Sequence, residues 1–193
     1  MDAHDLLLNR ASEPPRLQTE PAPEGADLEK ILAAACRAPD HGRIRPWRFL
    51  VIRGEARVQL GEVFADALRA REPDAAPGAI KKELERPMRS PLIVTVVATP
   101  QPDHPKVPVI EQVVSAGVAA HSMILTAQAL GFGGILLTGA NAYDPQVKKA
   151  LGLNPDDVIA AFVYLGTPTM EAPDLPRPTA ESLSSEWTEP FAS

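Results

Sequence analysis

Pro91-Leu-Ile-Val-Thr-Val-Val-Ala-Thr99 decides the fold class. It is a nearly unbroken β-branched run without strict alternation, the pattern of a strand covered on both faces. Such a strand needs apolar helices above and below it, and the flanking sequence supplies them. Upstream, Val58, Leu60, Val63, Phe64, Ala67 and Leu68 recur at helical spacing between Glu55 and about Ala70. A break at Pro73, Pro77 and Gly78 leads into a polar helix around residues 79–86. Downstream, a polar loop from Gln101 to Pro108 precedes a long helix from about Val109 to Leu130. Its middle, Ser115-Ala-Gly-Val-Ala-Ala120, is built from small side chains, which permit close approach in a core or at a subunit contact.

Three further strands read out from this centre. Trp47-Arg-Phe-Leu-Val-Ile52 ends at Gly54, Gly131–Gly139 is bounded by glycines, and Asp157–Leu165 is a second covered strand. Met1–Ala11 reads as a short helix with Asp2 or Asp5 near its N-terminus, where negative charge is favoured. Asp27 caps a helix from Leu28 to about Arg37, stopped by Pro39, with apolar positions 28, 31, 32, 35 and 36 forming one stripe. Pro145 opens a helix through Leu151. Residues 13–26 read as an irregular surface strap. This order excludes an all-β protein and a pure bundle, and it repeats βαβ too unevenly for a doubly wound dinucleotide fold. It fits one sheet covered by helices on both sides. Residues 1–193 read as a single domain with an irregular tail, 167–193, whose Trp187 and Phe191 point to docking across a dimer.

Composition narrows the function classes. A formal charge of -6 and no basic stripe argue against nucleic-acid binding. Cys36 is the single cysteine, which suits a reducing cytoplasm, and it reads as buried within its alanine-rich helix. No secretory leader is evident, and the central apolar run is interrupted by His121 and Gln128, so no membrane span is expected. The chain lacks GxGxxG after its first strand, GxxxxGK[ST], HExxH and GxSxG, and it offers no metal-ligand cluster. Gly131-Phe-Gly-Gly precedes a strand and reads as a tight turn.

What remains is a dispersed anion-binding set. Arg10 and Ser12 follow the first helix, Arg37 ends the second, and His41 lies in the turn before Pro46-Trp47. A guanidinium grips phosphate oxygens in a bidentate fork, and a serine hydroxyl adds a further bond.

The chain resembles the nitroreductase family of FMN-dependent oxidoreductases, in particular the short single-domain bacterial NAD(P)H nitroreductases. The resemblance runs through Asn9-Arg-Ala-Ser12, Arg37-Ala-Pro-Asp-His41, Pro46-Trp47, Pro91-Leu-Ile-Val94, Lys106-Val-Pro108 with Glu111-Gln112, Gly131-Phe-Gly-Gly-Ile135, Thr138-Gly139 and Tyr164-Leu-Gly-Thr-Pro168. It implies an α+β fold with a mixed sheet flanked by helices, in an intertwined homodimer with two shared FMN sites. Arg10 and Ser12 would hold the phosphate and ribityl groups, with Ala11 contributing backbone. Arg37 and His41 would complete the site from the opposite subunit. Leu136, Leu137 and Thr138 would lay main-chain groups along the isoalloxazine, and Gly139 would keep that approach open. The small-residue middle of the long helix would be interface material.

Two positions depart from the family pattern. Ala11 stands where a second arginine is common, and Leu136-Leu137 stand where an aromatic and a basic residue are common. Both changes remove positive charge near the cofactor, and Arg177 in the tail is a candidate for restoring some of it. The implied activity is transfer of reducing equivalents from NADH or NADPH through FMN to nitroaromatics, quinones or related small-molecule acceptors. Such chemistry belongs to the cofactor and calls for no side-chain nucleophile or acid–base pair. The alternative is a flavin-binding sensor or storage protein with little turnover.

Overall fold

The β-branched run becomes a central strand buried along its whole length in the computed structural model, which describes residues 2–170 and 175–188. In chain order the elements are α1 (Ala3–Asn9), β1 (Gln18–Thr19), α2 (Gly25–Ala35), β2 (Trp47–Arg53), α3 (Glu55–Arg71), α4 (Pro77–Glu85) and β3 (Leu92–Ala98). They continue with α5 (Val109–Ala129), β4 (Gly133–Leu137), α6 (Ala140–Tyr143), α7 (Pro145–Ala150), β5 (Val158–Pro168) and α8 (Ala180–Leu183).

β5 is the hub of the sheet. It pairs with β3, with β4 and, at its last two residues, with β1, while β2 pairs with the other edge of β3. Leu92 lies opposite Leu165, and Gly134 lies opposite the same Leu165 from the other side. Alternation along β3 explains its unbroken hydrophobicity. Leu92, Val94 and Val96 pack with Ile31, Ala116, Ala120 and Met123 of α2 and α5. Ile93 packs with Phe64 of α3 and with Phe162, whose ring meets that of Phe64 edge-on at 5.4 Å. Both faces are covered by apolar side chains, and Thr95 is the one polar residue on the strand, fully buried.

Every pairing among the described residues is antiparallel, where a mixed sheet is expected. The connections give the reason. α3 and α4 form an out-and-back hairpin, so β3 returns beside β2 in the opposite sense. α5 is a single pass, so β3 and β4 do point the same way, but β5 inserts between them. The two-sided cover that the sequence predicts is present; helices, not strand direction, provide it.

Local chemistry sets most helix ends. Asp2 caps α1, its side chain accepting from Asp5 N–H at 2.9 Å. α2 begins at Gly25, before Asp27, which sits in the first turn and pairs with Lys30. Because α2 closes at Ala35, Cys36 becomes the C-cap and is exposed, correcting the expectation of a buried thiol. The 13–26 strap is tied down by β1 and by a short 3-10 turn at Pro15–Leu17. The tail does not begin at 167, since β5 runs on to Pro168 and α8 adds one turn. Trp187 and Leu183 are exposed there, and Phe191 lies outside the described residues.

α5 is long and apolar enough to pass for a membrane span by length and composition. Ser115, Ala116, Ala119, Ala120, Met123 and Ala127 are nevertheless buried within this chain. These small residues therefore pack within the chain, against α2 and the sheet. The face left open carries Ile110 and Val114, 67% and 58% exposed.

Candidate functional site

Arg10, Ala11 and Ser12 lie on the loop that leaves α1, and that loop is fastened to β4. Glu13 N–H donates to the Gly134 carbonyl at 3.2 Å, and the Glu13 carboxylate accepts from Gly134 N–H at 2.8 Å. A side chain on Gly133 would collide with the Glu13 carboxylate, so the glycine is needed for the clamp. Gln18 donates to the Glu13 carbonyl at 2.9 Å, and Gln128 of α5 donates to the Asn9 carbonyl at 3.4 Å. Burial pushes the Glu13 carboxyl above the usual range, opposed by the hydrogen bond from Gly134.

The Arg10 guanidinium donates to Ser12 Oγ at 3.2 Å, which brings the two proposed phosphate ligands together. Arg177 donates to the Arg10 carbonyl at 3.3 Å, so the tail does return to this loop, through backbone. Beside it Asn9, Ala11, Glu13, Gln128 and Thr169 line a cleft of about 460 Å³.

β4 carries the remaining residues of this half. One edge pairs with β5; the other receives Glu13 at Gly134 and no further hydrogen bond up to Thr138 among the described residues. Leu136, Thr138 and Gly139 are exposed. Gly139 has φ 80, and nothing lies within 4 Å of a Cβ placed on it. The end of β4 thus presents bare backbone to open space, as a flat ring laid against main chain requires.

Arg37 and His41 sit elsewhere. Both are exposed, at the end of α2 and in the following 3-10 turn. His41 Nδ1 lies 2.6 Å from a Glu111 carboxylate oxygen in the first turn of α5. Pro39, His41, Ile110, Glu111, Val114 and Val118 line a mostly apolar cleft of about 300 Å³. Gln128, at the Arg10 loop, and Glu111, at His41, are seventeen residues apart on one straight helix, which is about 25 Å. The loop of Arg10 and Ser12 is thus fastened to the start of β4 and Leu136–Gly139 lie at its end, whereas His41, with Arg37 four residues before it, stands at the far end of α5.

A polar network behind α6 has no counterpart in the sequence reading. Asn141 donates to Glu83 at 2.7 Å and accepts from Arg71 at 3.2 Å. Arg71 also pairs with Asp144, and Arg86 with Glu83. Burial raises the Glu83 carboxyl, but hydrogen bonds from Arg86 and Asn141 and the charges of Arg86 and Arg71 outweigh it, leaving it low. Asp144 is likewise low: burial is outweighed by Arg71 and by Gln146 and Val147 N–H. Burial pushes the neighbouring Tyr164 up to about 12. Asp144-Pro145 is a readable N-cap followed by first-turn proline, and Asp144 does accept from Gln146 N–H at 2.8 Å. Glu13, Glu83 and Asn141 leave no such local trace. Among the described residues there is no cluster suited to a metal.

With this geometry the chain matches the nitroreductase family over residues 9–167, and it belongs to that family. YdjA of Escherichia coli (strain K12), an NAD(P)H nitroreductase by name, is 46% identical over 182 residues, covering 93% of this chain and 97% of its own. The crystal structure of a nitroreductase-like family protein from Bacillus cereus superposes with a TM-score of 0.81 at 21% identity, covering 98% of this chain and 97% of that one. At that identity the likeness shows the fold. A Desulfovibrio desulfuricans nitroreductase crystallised with FMN is 25% identical, with a TM-score of 0.72 over 98% of this chain and 97% of that one.

Proposed function

We propose that this protein is an FMN-dependent oxidoreductase that moves reducing equivalents from NAD(P)H to nitroaromatic, quinone or related electrophilic acceptors. The observation that carries the reading is the open edge of β4, with Arg10 and Ser12 fastened at its start and Gly139 open at its end. A strand of five residues spans roughly 16 Å, which suits an elongated ligand with an anionic end and a flat end. Arg10 and Ser12 take the phosphate end, with Ala11 beside them. The main chain of Leu136, Leu137 and Thr138 faces the ring, and Gly139 leaves its reactive edge accessible.

Arg37 and His41 join this site from a second copy of the chain. One protomer cannot bring them to its own Arg10 across the length of α5, whereas a homodimer can. The exposed Ile110 and Val114 beside His41 support that assembly. When bound, FMN supplies the hydride-accepting and electron-donating chemistry, while the chain binds it, orients the partners and limits water. The single free cysteine goes with a cytoplasmic setting.

The test is anaerobic reduction of the purified yellow protein by NADH and by NADPH, followed by a panel of quinones and nitro compounds. Bleaching of the flavin and steady coenzyme consumption with an acceptor are expected. Stable flavin binding with no acceptor-dependent turnover would instead favour a sensor or storage protein.

A further inference from the structure

The turn after His41 is built in an uncommon way. Gly42, Arg43 and Arg45 all have positive φ, at 75, 55 and 53, and for arginine that conformation is unfavourable. It persists only where the surroundings over-determine it, and here three contacts do so. The Asp40 carboxylate accepts from Arg45 N–H at 2.6 Å. His41 is held by Glu111. Gly42 lies against Val107, where an added Cβ would stand 3.1 Å from Cγ2.

The last contact sets the turn beside the 101–108 loop. There the His104 ring nitrogen accepts from Lys106 N–H at 3.3 Å and Val107 N–H at 3.1 Å, fixing the backbone that carries Lys106. Arg43, Arg45 and Lys106 are all exposed, and none forms an ion pair among the described residues. Of the nearby carboxylates, Asp40 is engaged by backbone and Glu111 by His41, leaving Asp103.

We propose that Arg43 and Arg45, with Lys106, receive the ribose 2′-phosphate of the nicotinamide coenzyme, so that this protein uses NADPH in preference to NADH. The inference rests on the oxidoreductase reading above. Two guanidinium forks match a terminal dianionic phosphate, and an arginine is a known means of accommodating this group. The turn adjoins His41, on the side of the site that the second protomer supplies, whereas the phosphate of FMN is assigned to Arg10 and Ser12. The held backbone sets where the Cα–Cβ bonds of the two arginines point, and the exposed side chains are free to reach a ligand from there.

The experiment compares the FMN-loaded protein with its Arg43→Gln/Arg45→Gln variant. Flavin absorbance and thermal midpoint report whether the variant is folded and loaded, and Arg43→Lys/Arg45→Lys keeps the charge should the glutamines unfold the turn. Steady-state rates with a fixed quinone are expected to favour NADPH, and the variant to lower the NADPH to NADH ratio of kcat/KM about tenfold, through KM. Equilibrium binding of adenosine 2′,5′-bisphosphate is expected to weaken about tenfold, far more than that of adenosine 5′-monophosphate. An equal loss for both coenzymes would assign the arginines to the shared pyrophosphate and overturn the proposal. Loss of FMN in the variant would assign them to the flavin phosphate and overturn it as well, as would a wild type that prefers NADH. A wild type that neither coenzyme reduces would refute the oxidoreductase reading itself, a distinguishable result.

Discussion

Arg10 and Glu13 are three residues apart and differ in how they act. Arg10 is half-buried and donates to Ser12 within the chain, so its charge is poised for an anion. Hydrogen bonds to charged groups contribute about 1.5–3 kcal/mol. Arg10→Ala is therefore expected to weaken FMN binding by about tenfold to a hundredfold, measured by equilibrium titration of the apoprotein; unchanged affinity would refute the assignment. Glu13 is an acid whose folded-state pKa is raised. Its contribution to stability is full below the ordinary glutamate value of about 4.3 and is lost as pH rises through the raised one. Glu13→Gln keeps an acceptor for Gly134 N–H but does not titrate. The melting temperature of this variant should thus improve relative to the wild type as pH rises above the ordinary glutamate value, and a difference that moves the other way would show that the carboxylate is favourable. Arg10 was legible because its neighbours match a family pattern. Glu13 was not, because a proline-rich strap has no periodicity to show which side chain turns inward.

Among the elements, α6 connects the open end of β4 to the rest of the protein. It is four residues long and cannot hold itself; Asn141 anchors it to Glu83 and Arg71. Removing one member of a buried charged group strands the others, typically at about 3–5 kcal/mol. Glu83→Ala should therefore destabilise the fold by about 3 kcal/mol in urea unfolding, and Glu83→Gln by less, since an amide can still bond Asn141. Equal effects would mean that packing, not the hydrogen bonds, matters here. Glu83 and Asp144 are both held low, so their stabilisation is present above the unfolded carboxylate values and is lost as pH falls through the folded ones. Acid unfolding of the wild type should accordingly be steeper below about pH 4 than that of Glu83→Gln. The long elements, β3 and α5, were readable from pattern to within a residue or two. α6 was not, because one turn carries no period, and the network joins residues that only the finished fold brings together.

At the scale of the whole molecule, the site and the surface pose one problem. The two halves of the candidate flavin site are held at Gln128 and Glu111, positions about 25 Å apart along α5 in one chain. The small residues in the middle of α5 signal close packing without saying against what, a core or a second subunit. Ala116, Ala119 and Ala120 are spent on the protein's own core, and the open face is made by Ile110 and Val114 instead. Those two residues border the His41 cleft, so covering them and completing the flavin site would be a single event. In a two-fold dimer each substitution is made twice. Burying one valine side chain is worth about 1.5–3 kcal/mol, so Val114→Asp removes about 3–6 kcal/mol from the assembly even before the cost of burying charge. The expected outcome is a wild type with the mass of a dimer and a variant that sediments as a monomer and loses flavin on dilution, with its secondary structure retained by circular dichroism. FMN occupancy should then follow the dimer fraction as protein concentration is raised. A monomeric wild type with full flavin occupancy would disprove the shared site and would require Arg37 and His41 to serve some other purpose.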